Sequence, residues 1–511
     1  MIKIDGNHLS ISDVYSIAAE NETVSISAKA INNIEHSFRL LNMRIQSSEY
    51  FYGINTGFGV FQSKLISQDQ IQTLNRNLII SHAIGAGEYL PTKEVRAAMI
   101  VRANTLAKGY SGIRLEIIQT LIDMLNNHVT PQIKSQGSLG SSGDLCLLAQ
   151  LALVLSRDPE NPEHDSGKAI HNDQIVTGYE AMKRAGISRI VLGPKEGLAI
   201  INGATFSAST ACLLISQARY LTYLADACAA CTLEALLGRS EPFDERMHEV
   251  RKQAGQMESA ALINSLIKNS NLINSSTQIQ DAYSLRCTPQ VHGAVRDAVK
   301  HAEKIITNEI NAATDNPLIF MNGDIISGGN FHGEPIALVM DYFSMGMAEL
   351  GAISERRIAR LLDSNHNVGL PPMLVDNENN AGLQSGLMIP HYVAASMALE
   401  SQRLASPDSV RSIPTSANQE DFNANSWNAV RKAVKITENS MRILTIELYI
   451  AAHALDLRLK KPKSKMGTGT KKIFETIRTI VPLRSNDVLW DREIETLFEE
   501  VKQNRILSLT K

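Results

Sequence analysis

The sequence predicts a mainly α protein: a long central helical bundle, with a smaller N-terminal mixed region that carries a Gly/Ser-rich loop. Three observations predict it. Apolar residues recur at helical spacing over long stretches, strand signals are few, and the long runs are rich in Ala and Ser. Small residues at the contacts let helices approach closely in a bundle. At 511 residues the chain is longer than one ordinary domain. Two regions are expected: 1–200 for the mixed part, and 201–511 for the long helices and the C-terminal helices.

The elements follow in order. Leu115, Ile118, Leu121, Ile122 and Leu125 keep helical spacing until Pro131 ends the pattern. Residues 146–155 read as a buried helix. Residues 197–237 form a long run of small and aliphatic residues, closed by Gly238. Its most apolar part, 197–218, contains Asn202, Thr205, Ser207, Ser209, Thr210, Ser216 and Gln217, so it reads as a buried helix and not a membrane span. Val295, Val299, Ala302, Ile306 and Ile310 predict a helix over 294–313. Asn322-Gly323 between two short apolar runs predicts a type I′ hairpin over 318–327. Further helices are expected over 341–362, 387–404 and 429–455. Residues 372–386 read as a polar loop and 460–472 as a basic linker. No internal repeat is visible.

Hydrophobic residues are 44% and charged residues 20%, as in ordinary globular proteins. A net charge of −3 argues against nucleic-acid binding as the main function. The first 30 residues carry charges throughout and lack a continuous apolar core, so no export signal is expected. The five cysteines, an odd count, suit reduced thiols in a cytoplasm. Cys228-Ala-Ala-Cys231 lies in an Ala/Leu-rich run without partner ligands and reads as packing. His164, His171, His248 and His301 have no spacing that suggests a metal site, and none is expected.

The chemistry concentrates in residues 137–143, Gly-Ser-Leu-Gly-Ser-Ser-Gly, followed at once by Asp144-Leu145. Small residues this dense let the backbone fold back on itself, and Gly143 has no Cβ to keep its nitrogen from the carbonyl of Ser141. Attack by that nitrogen would close residues 141–143 into an imidazolone ring. Loss of water from Ser142 would then leave an exocyclic methylidene, a strong electrophile that no ordinary side chain supplies. A helix over 146–155 would aim its N-terminal N–H groups and partial positive charge at such a ring. In isolation such a stretch is more often a loop and helix N-cap; Asp144 reads either as that cap or as a participant in ring formation.

Its company decides otherwise. Tyr52-Gly-Ile-Asn-Thr-Gly-Phe-Gly lies upstream. Glu196-Gly-Leu-Ala-Ile-Ile-Asn-Gly, Tyr283-Ser-Leu-Arg-Cys-Thr-Pro-Gln, Ser327-Gly-Gly-Asn-Phe-His and Pro414-Thr-Ser-Ala-Asn-Gln-Glu-Asp follow. The six motifs in this order resemble the histidine and aromatic amino acid ammonia-lyase family, over essentially the whole chain. The resemblance implies a 4-methylidene-imidazol-5-one formed from Ser141, Ser142 and Gly143. It implies Tyr52 as the base that removes the substrate β-proton, though a free tyrosine titrates at about 10 and needs help from its surroundings. Arg286 offers a planar fork for the substrate carboxylate. Tyr283 and Asn202 match residues that contact the electrophile and its oxygen. Gln280 and Phe331 match pocket-lining positions.

His82 and Glu420 bear on the substrate. Together they resemble the histidine-lyase pattern, whereas phenylalanine lyases tend to be apolar at the first position and to carry Asn-Gln-Asp at the second. The resemblance therefore implies elimination of ammonia from L-histidine to give urocanate, in a homotetramer whose active sites draw on three subunits. A tyrosine or phenylalanine lyase, or a 2,3-aminomutase, of the same fold is the alternative. A non-catalytic helical scaffold is the second. The chain departs from the family at Ser141, commonly Ala, and at Leu147, commonly Pro. It also departs at Gln150 and Phe422, each commonly His in histidine lyases, and in the unusual run 423–427.

Overall fold

The structure, a computed structural model, describes residues 1–46, 51–61, 63–376 and 380–508. Helices dominate, and the expected long ones are present as Thr288–Glu309, Glu334–Leu362, Met388–Leu404 and Ser426–Leu459. The shorter Leu115–Asn126 and Leu145–Leu155 also match the apolar spacing that predicted them. Of the polar loop at 372–386, residues 377–379 lie outside the described residues, and 372–374 form a short 3-10 turn.

Strands are short and cluster in the first 177 residues. Ile2–Ile4 pairs in parallel with Val24–Ile26, and Ala86–Tyr89 pairs antiparallel with Lys134–Gln136. Thr130–Pro131, Lys168–His171 and Gln174–Thr177 make a three-stranded sheet. One hairpin lies outside this region: Leu318–Ile319 pairs with Ile325–Ile326. Its turn is longer than the expected two residues. Phe320 N–H bonds to Asp324 O at 2.9 Å and Gly323 N–H to Phe320 O at 2.9 Å, closing a loop over 321–323. Only Gly323 of the three takes a positive φ, +88°, so the glycine serves as a bulge and not as half of a type I′ turn.

The chain forms two compact units, neither contiguous in sequence. One comprises Met1–Ser216, Ala302–Asp341 and Pro407–Arg431; the other comprises Gln217–His301, Tyr342–Ser406 and Lys432–Lys511. The expected halves 1–200 and 201–511 differ from this division because long helices start in one unit and finish in the other. A pattern that continues unbroken along a helix cannot reveal that its two ends belong to different cores.

The run at 197–237 is also not one helix. It forms Glu196–Ile201 and then Thr205–Ala235, with Asn202 extended and Gly203 at φ +108° between them. Arg102, fully buried, holds this break. Its guanidinium donates to Ala199 O at 3.0 Å, to Asn202 O at 2.5 Å and to Thr205 Oγ1 at 2.6 Å. Burial pushes this guanidinium down to about 10, and the charges of Asp315, Asp144 and Glu309 oppose that shift. The start of Ser426–Leu459 is anchored by Trp427, whose ring meets Phe206 edge-on at 6.3 Å and whose Nε1–H bonds to Ser135 O at 2.8 Å. Truncating a side chain this buried costs about 3–5 kcal/mol.

In the second unit, several buried charges are paired. Asp226 takes contacts from Ser259, His292 and Arg296 at 2.6, 2.7 and 2.5 Å. Arg357 grips Glu447 at 2.5 and 2.8 Å. Arg357 lies on Glu334–Leu362, the one described helix long and apolar enough to cross a membrane by length and composition; here it packs as a core helix, with 61% of its most apolar window buried. Cys228 and Cys231 are buried unpaired thiols on Thr205–Ala235, as the packing reading expects.

Candidate active site

The Gly/Ser-rich loop forms one wall of a cavity of about 910 Å³ within the first unit. Tyr52, His82, Ser141, Ser142, Asn202, Phe331 and Glu420 all line it. Six residues from five separate motifs, and His82 outside them, thus converge on one space.

Two backbone contacts shape the loop. Gly143 takes φ +86° and runs alongside Gly203, so close that a Cβ at 143 would meet Gly203 backbone atoms at 2.1–2.3 Å. Gly203 N–H donates to Ser142 O at 3.2 Å and Asp144 N–H to Gly203 O at 3.0 Å. The helix break therefore exists to receive the loop. Gly140, at φ +66°, faces Ser426 Oγ, where a Cβ would come within 1.8 Å. No side chain is tolerated at either position.

Asp144 does not cap the helix that follows it. Its carboxylate is fully buried and accepts from Ser138 Oγ at 2.7 Å, Ser207 N at 2.8 Å and Ser207 Oγ at 3.2 Å. Ser207 lies in the first turn of Thr205–Ala235, so Asp144 caps that helix instead. Burial pushes this carboxyl above the usual range, and these hydrogen bonds oppose it. Leu145, the first residue of Leu145–Leu155, lines the cavity beside the two serines.

Ser142 Oγ reaches the cavity and donates to Glu420 Oε1 at 2.9 Å. Glu420 ends a turn that begins at Thr415. Thr415 N–H bonds to Glu420 O at 2.8 Å and Glu420 N–H to Thr415 O at 3.3 Å. Between them Ser416, Ala417 and Asn418 take positive φ of 51°, 51° and 67°. Left-handed backbone costs roughly 1–2 kcal/mol per residue for side chains with a Cβ, and such strain collects at functional sites.

Ser141 is buried and its hydroxyl donates to Asn423 Oδ1. Its oxygen also accepts from Ala424 N–H at 3.4 Å. Two departures from the family pattern, Ser141 and the 423–427 run, are thus partners of each other. Ser141→Ala leaves the Asn423 oxygen without that donor, at a stability cost of about 1–3 kcal/mol. The variant is expected to melt lower yet retain activity within about tenfold, about 1.4 kcal/mol of barrier. Melting curves and steady-state kinetics check this, and a larger loss of activity assigns Ser141 a direct part in the chemistry.

Asn202 sits at the helix break. Its Nδ2 donates to Asp315 Oδ1 at 3.3 Å, and Lys195 Nζ holds Asp315 Oδ2 at 2.5 Å in a fully buried pair. Tyr52 lies edge-on to Phe58, with ring centroids 6.4 Å apart, and its hydroxyl oxygen accepts from Gly59 N–H at 3.1 Å. His82 closes the helix Ile71–His82; its Nδ1 lies 2.8 Å from Leu78 O, so Nδ1 carries the proton and Nε2 is left as acceptor. Burial pushes His82 below its ordinary value of 6.5, while Leu78 O and Glu420 pull it up. Phe422 is 62% exposed and stacks on His332 at 6.3 Å.

Gln280, Tyr283 and Arg286 are not among the residues lining this cavity. They belong to the second unit, on and before the short helix Tyr283–Arg286. Tyr283 is 70% exposed, Arg286 lies over its ring at 4.7 Å, and the buried Nε of Arg286 has no hydrogen-bond partner among the described residues. Sequence reasoning missed Arg102, Thr415, Asn423 and the Lys195–Asp315 pair. A charged Arg102 inside the otherwise Ala-rich run 92–107 was a usable signal for the first; the others become visible only through their contacts.

A profile of the family described as aromatic amino acid lyase matches residues 9–479. The chain is similar to a histidine ammonia-lyase of Caldanaerobacter subterraneus subsp. tengcongensis, 44% identical over 517 residues that cover 100% of this chain and 98% of that protein. Among solved structures it is similar to histidine ammonia-lyase from Trypanosoma cruzi, with TM-score 0.90 and 34% identity over 100% of this chain and 94% of that one. It is also similar to tyrosine aminomutase from Streptomyces globisporus, with TM-score 0.92 and 30% identity over 99% of this chain and 98% of that one.

Proposed function

The chain belongs to the aromatic amino acid lyase family, and on that premise we propose that it eliminates ammonia from L-histidine to give urocanate. It is a carbon–nitrogen lyase acting on an amino acid. The observation that carries the histidine reading is that His82 and Glu420 line the same cavity, with Glu420 bonded to Ser142. The curated relatives named above the 40% level support it, being histidine ammonia-lyases. The likeness to a tyrosine aminomutase keeps one rival, lyase or mutase action on an aromatic amino acid.

The residues at 141–143 fit the methylidene-imidazolone that the family uses. Gly143 is pressed flush against Gly203 with no room for a Cβ, and the Ser142 hydroxyl is accessible beside a carboxylate. That group would supply an electrophile to the substrate. The chain's own side chains do the rest. Tyr52 takes the proton from the substrate β-carbon through its phenolic oxygen. Glu420 holds the ammonium or an imidazole N–H by a charge-assisted hydrogen bond. His82 presents Nε2 as an acceptor for a ring N–H. Asn202 offers an amide to developing negative charge, and the buried Lys195–Asp315 pair keeps that amide in place. Phe331 closes the cavity with an apolar face and excludes water.

The substrate carboxylate needs a cation, and Arg286 is the candidate. A homotetramer with shared active sites would bring Gln280, Tyr283 and Arg286 of a neighbouring subunit to this cavity. The exposure of Tyr283 and the unpartnered Nε of Arg286 support this. Mixing inactive Tyr52→Phe and Arg286→Ala subunits by unfolding and refolding together should therefore restore activity, at about a quarter of wild type or less. Mixed tetramers with no activity would place Arg286 and Tyr52 in the service of one subunit's site. Five unpaired cysteines suit a cytoplasmic location. The single deciding experiment is a substrate panel of histidine, tyrosine and phenylalanine with product identification. Urocanate from histidine is expected; a β-amino acid or coumarate from tyrosine overturns the proposal.

A further inference from the structure

We infer that the left-handed turn 415–420, tied to Ser141 through Asn423, is the device that positions the Glu420 carboxylate. The inference rests on the lyase reading above and deepens it by naming Thr415, Ala417 and Asn423 as positioning residues.

A chain of hydrogen bonds links both serines of the loop to Glu420. The Ser141 hydroxyl donates to Asn423 Oδ1. Asn423 Nδ2 donates to Thr415 Oγ1 at 3.4 Å and to Ile413 O. Thr415 Oγ1 donates to Glu420 Oε2 at 3.3 Å, and Ser142 Oγ donates to Glu420 Oε1 at 2.9 Å. Asn423 is further held by Ser412 Oγ, which accepts its backbone N–H at 2.6 Å. Loss of the Ser142 hydroxyl on ring formation frees Oε1 for the substrate. Oε2 keeps its Thr415 contact. What then aims the carboxylate is the turn itself and the Asn423 bridge.

The backbone carries the second observation. Three successive residues with a Cβ, Ser416, Ala417 and Asn418, hold positive φ, right-handed Gln419 follows, and reciprocal Thr415–Glu420 bonds close the turn. Neither a glycine nor an ordinary right-handed turn is used where either would be easier. A rigid, strained connection restricts where the Glu420 side chain can start. Preorganisation of this kind affects turnover more than folding.

Two variants test it. Ala417→Gly relaxes the strained position while removing one methyl group. It is expected to melt at or above the wild-type temperature, to keep a mass short of the sequence mass by two waters, and to lose three- to tenfold in kcat for histidine with KM within twofold. Asn423→Ala cuts the bridge and is expected to lose about tenfold or more in kcat; the double variant Ser141→Ala/Asn423→Ala should lose no more than Asn423→Ala alone. Ala417→Gly with kcat within twofold of wild type overturns the inference, as does a double variant that loses more than Asn423→Ala alone. If Asn423→Ala does not fold, Ala417→Gly alone decides. Wild-type protein that shows no mass deficit, or ignores histidine, sinks the underlying lyase reading instead, so the two failures are distinguishable.

Discussion

Ser142→Ala is expected to give a folded protein whose intact mass equals its sequence mass, with histidine turnover reduced at least about a thousandfold, roughly 4 kcal/mol of barrier. Wild type should be lighter than its sequence mass by two waters: one lost on ring closure, one from the Ser142 hydroxyl. Only Ser142 can provide the methylidene by dehydration. Folding should survive because this side chain lies at the cavity wall, only partly buried, and among the described residues its hydroxyl bonds to Glu420 at the surface of the cavity. Truncation therefore opens no cavity in the core. Circular dichroism should match wild type. A wild-type mass equal to the uncyclised chain refutes the electrophile, and with it the elimination chemistry.

Glu420→Gln is expected to lower kcat/KM for histidine by at least about ten- to hundredfold while leaving helicity and melting temperature close to wild type. An amide keeps the shape but is a neutral, weaker acceptor, and charge-assisted hydrogen bonds contribute roughly 1.5–3 kcal/mol. Oε2 is held by the neighbouring Thr415 hydroxyl, which an amide can also satisfy, so the fold loses little. If the carboxylate also moves a proton, the loss is larger. Activity on tyrosine and phenylalanine should be assayed in parallel. Intact histidine turnover in the variant, or tyrosine turnover with none on histidine in wild type, moves the assignment to the aromatic rival.

Most residues of the candidate site were legible in the sequence, because they sit in short motifs of unusual composition. Tyr52, His82, Ser141, Ser142, Asn202, Phe331 and Glu420 reach one cavity from distant parts of the chain. Gln280, Tyr283 and Arg286 were named on the same grounds and lie elsewhere on the chain. A motif records which chemistry a residue is suited to; it does not say which part of the fold the residue lands in. Asp144 is a sharper case. Its position before an apolar helix made a cap for that helix one of its two readings, beside a part in ring formation, yet its carboxylate caps Thr205–Ala235. Capping partners are chosen by distance in space, and sequence spacing predicts them only when both lie on one element.

What the sequence by itself determined is the set of local decisions. Apolar residues at helical spacing determined the long helices, because burying such a stripe is favourable in any packed arrangement. The density of small residues at 137–143 determined a loop able to fold on itself. What only the tertiary structure decided is where these parts meet. The break at Asn202-Gly203 has a local signal in the Asn-Gly pair, but its geometry is held from outside the segment by the buried Arg102 and the approach of Gly143. The pairing of Ser141 with Asn423, 282 residues apart, is likewise a contact between two positions that each look anomalous alone. The two discontinuous units arise the same way. Propensity and periodicity act over a few turns of chain, whereas the fit of one surface against another depends on every segment that reaches it.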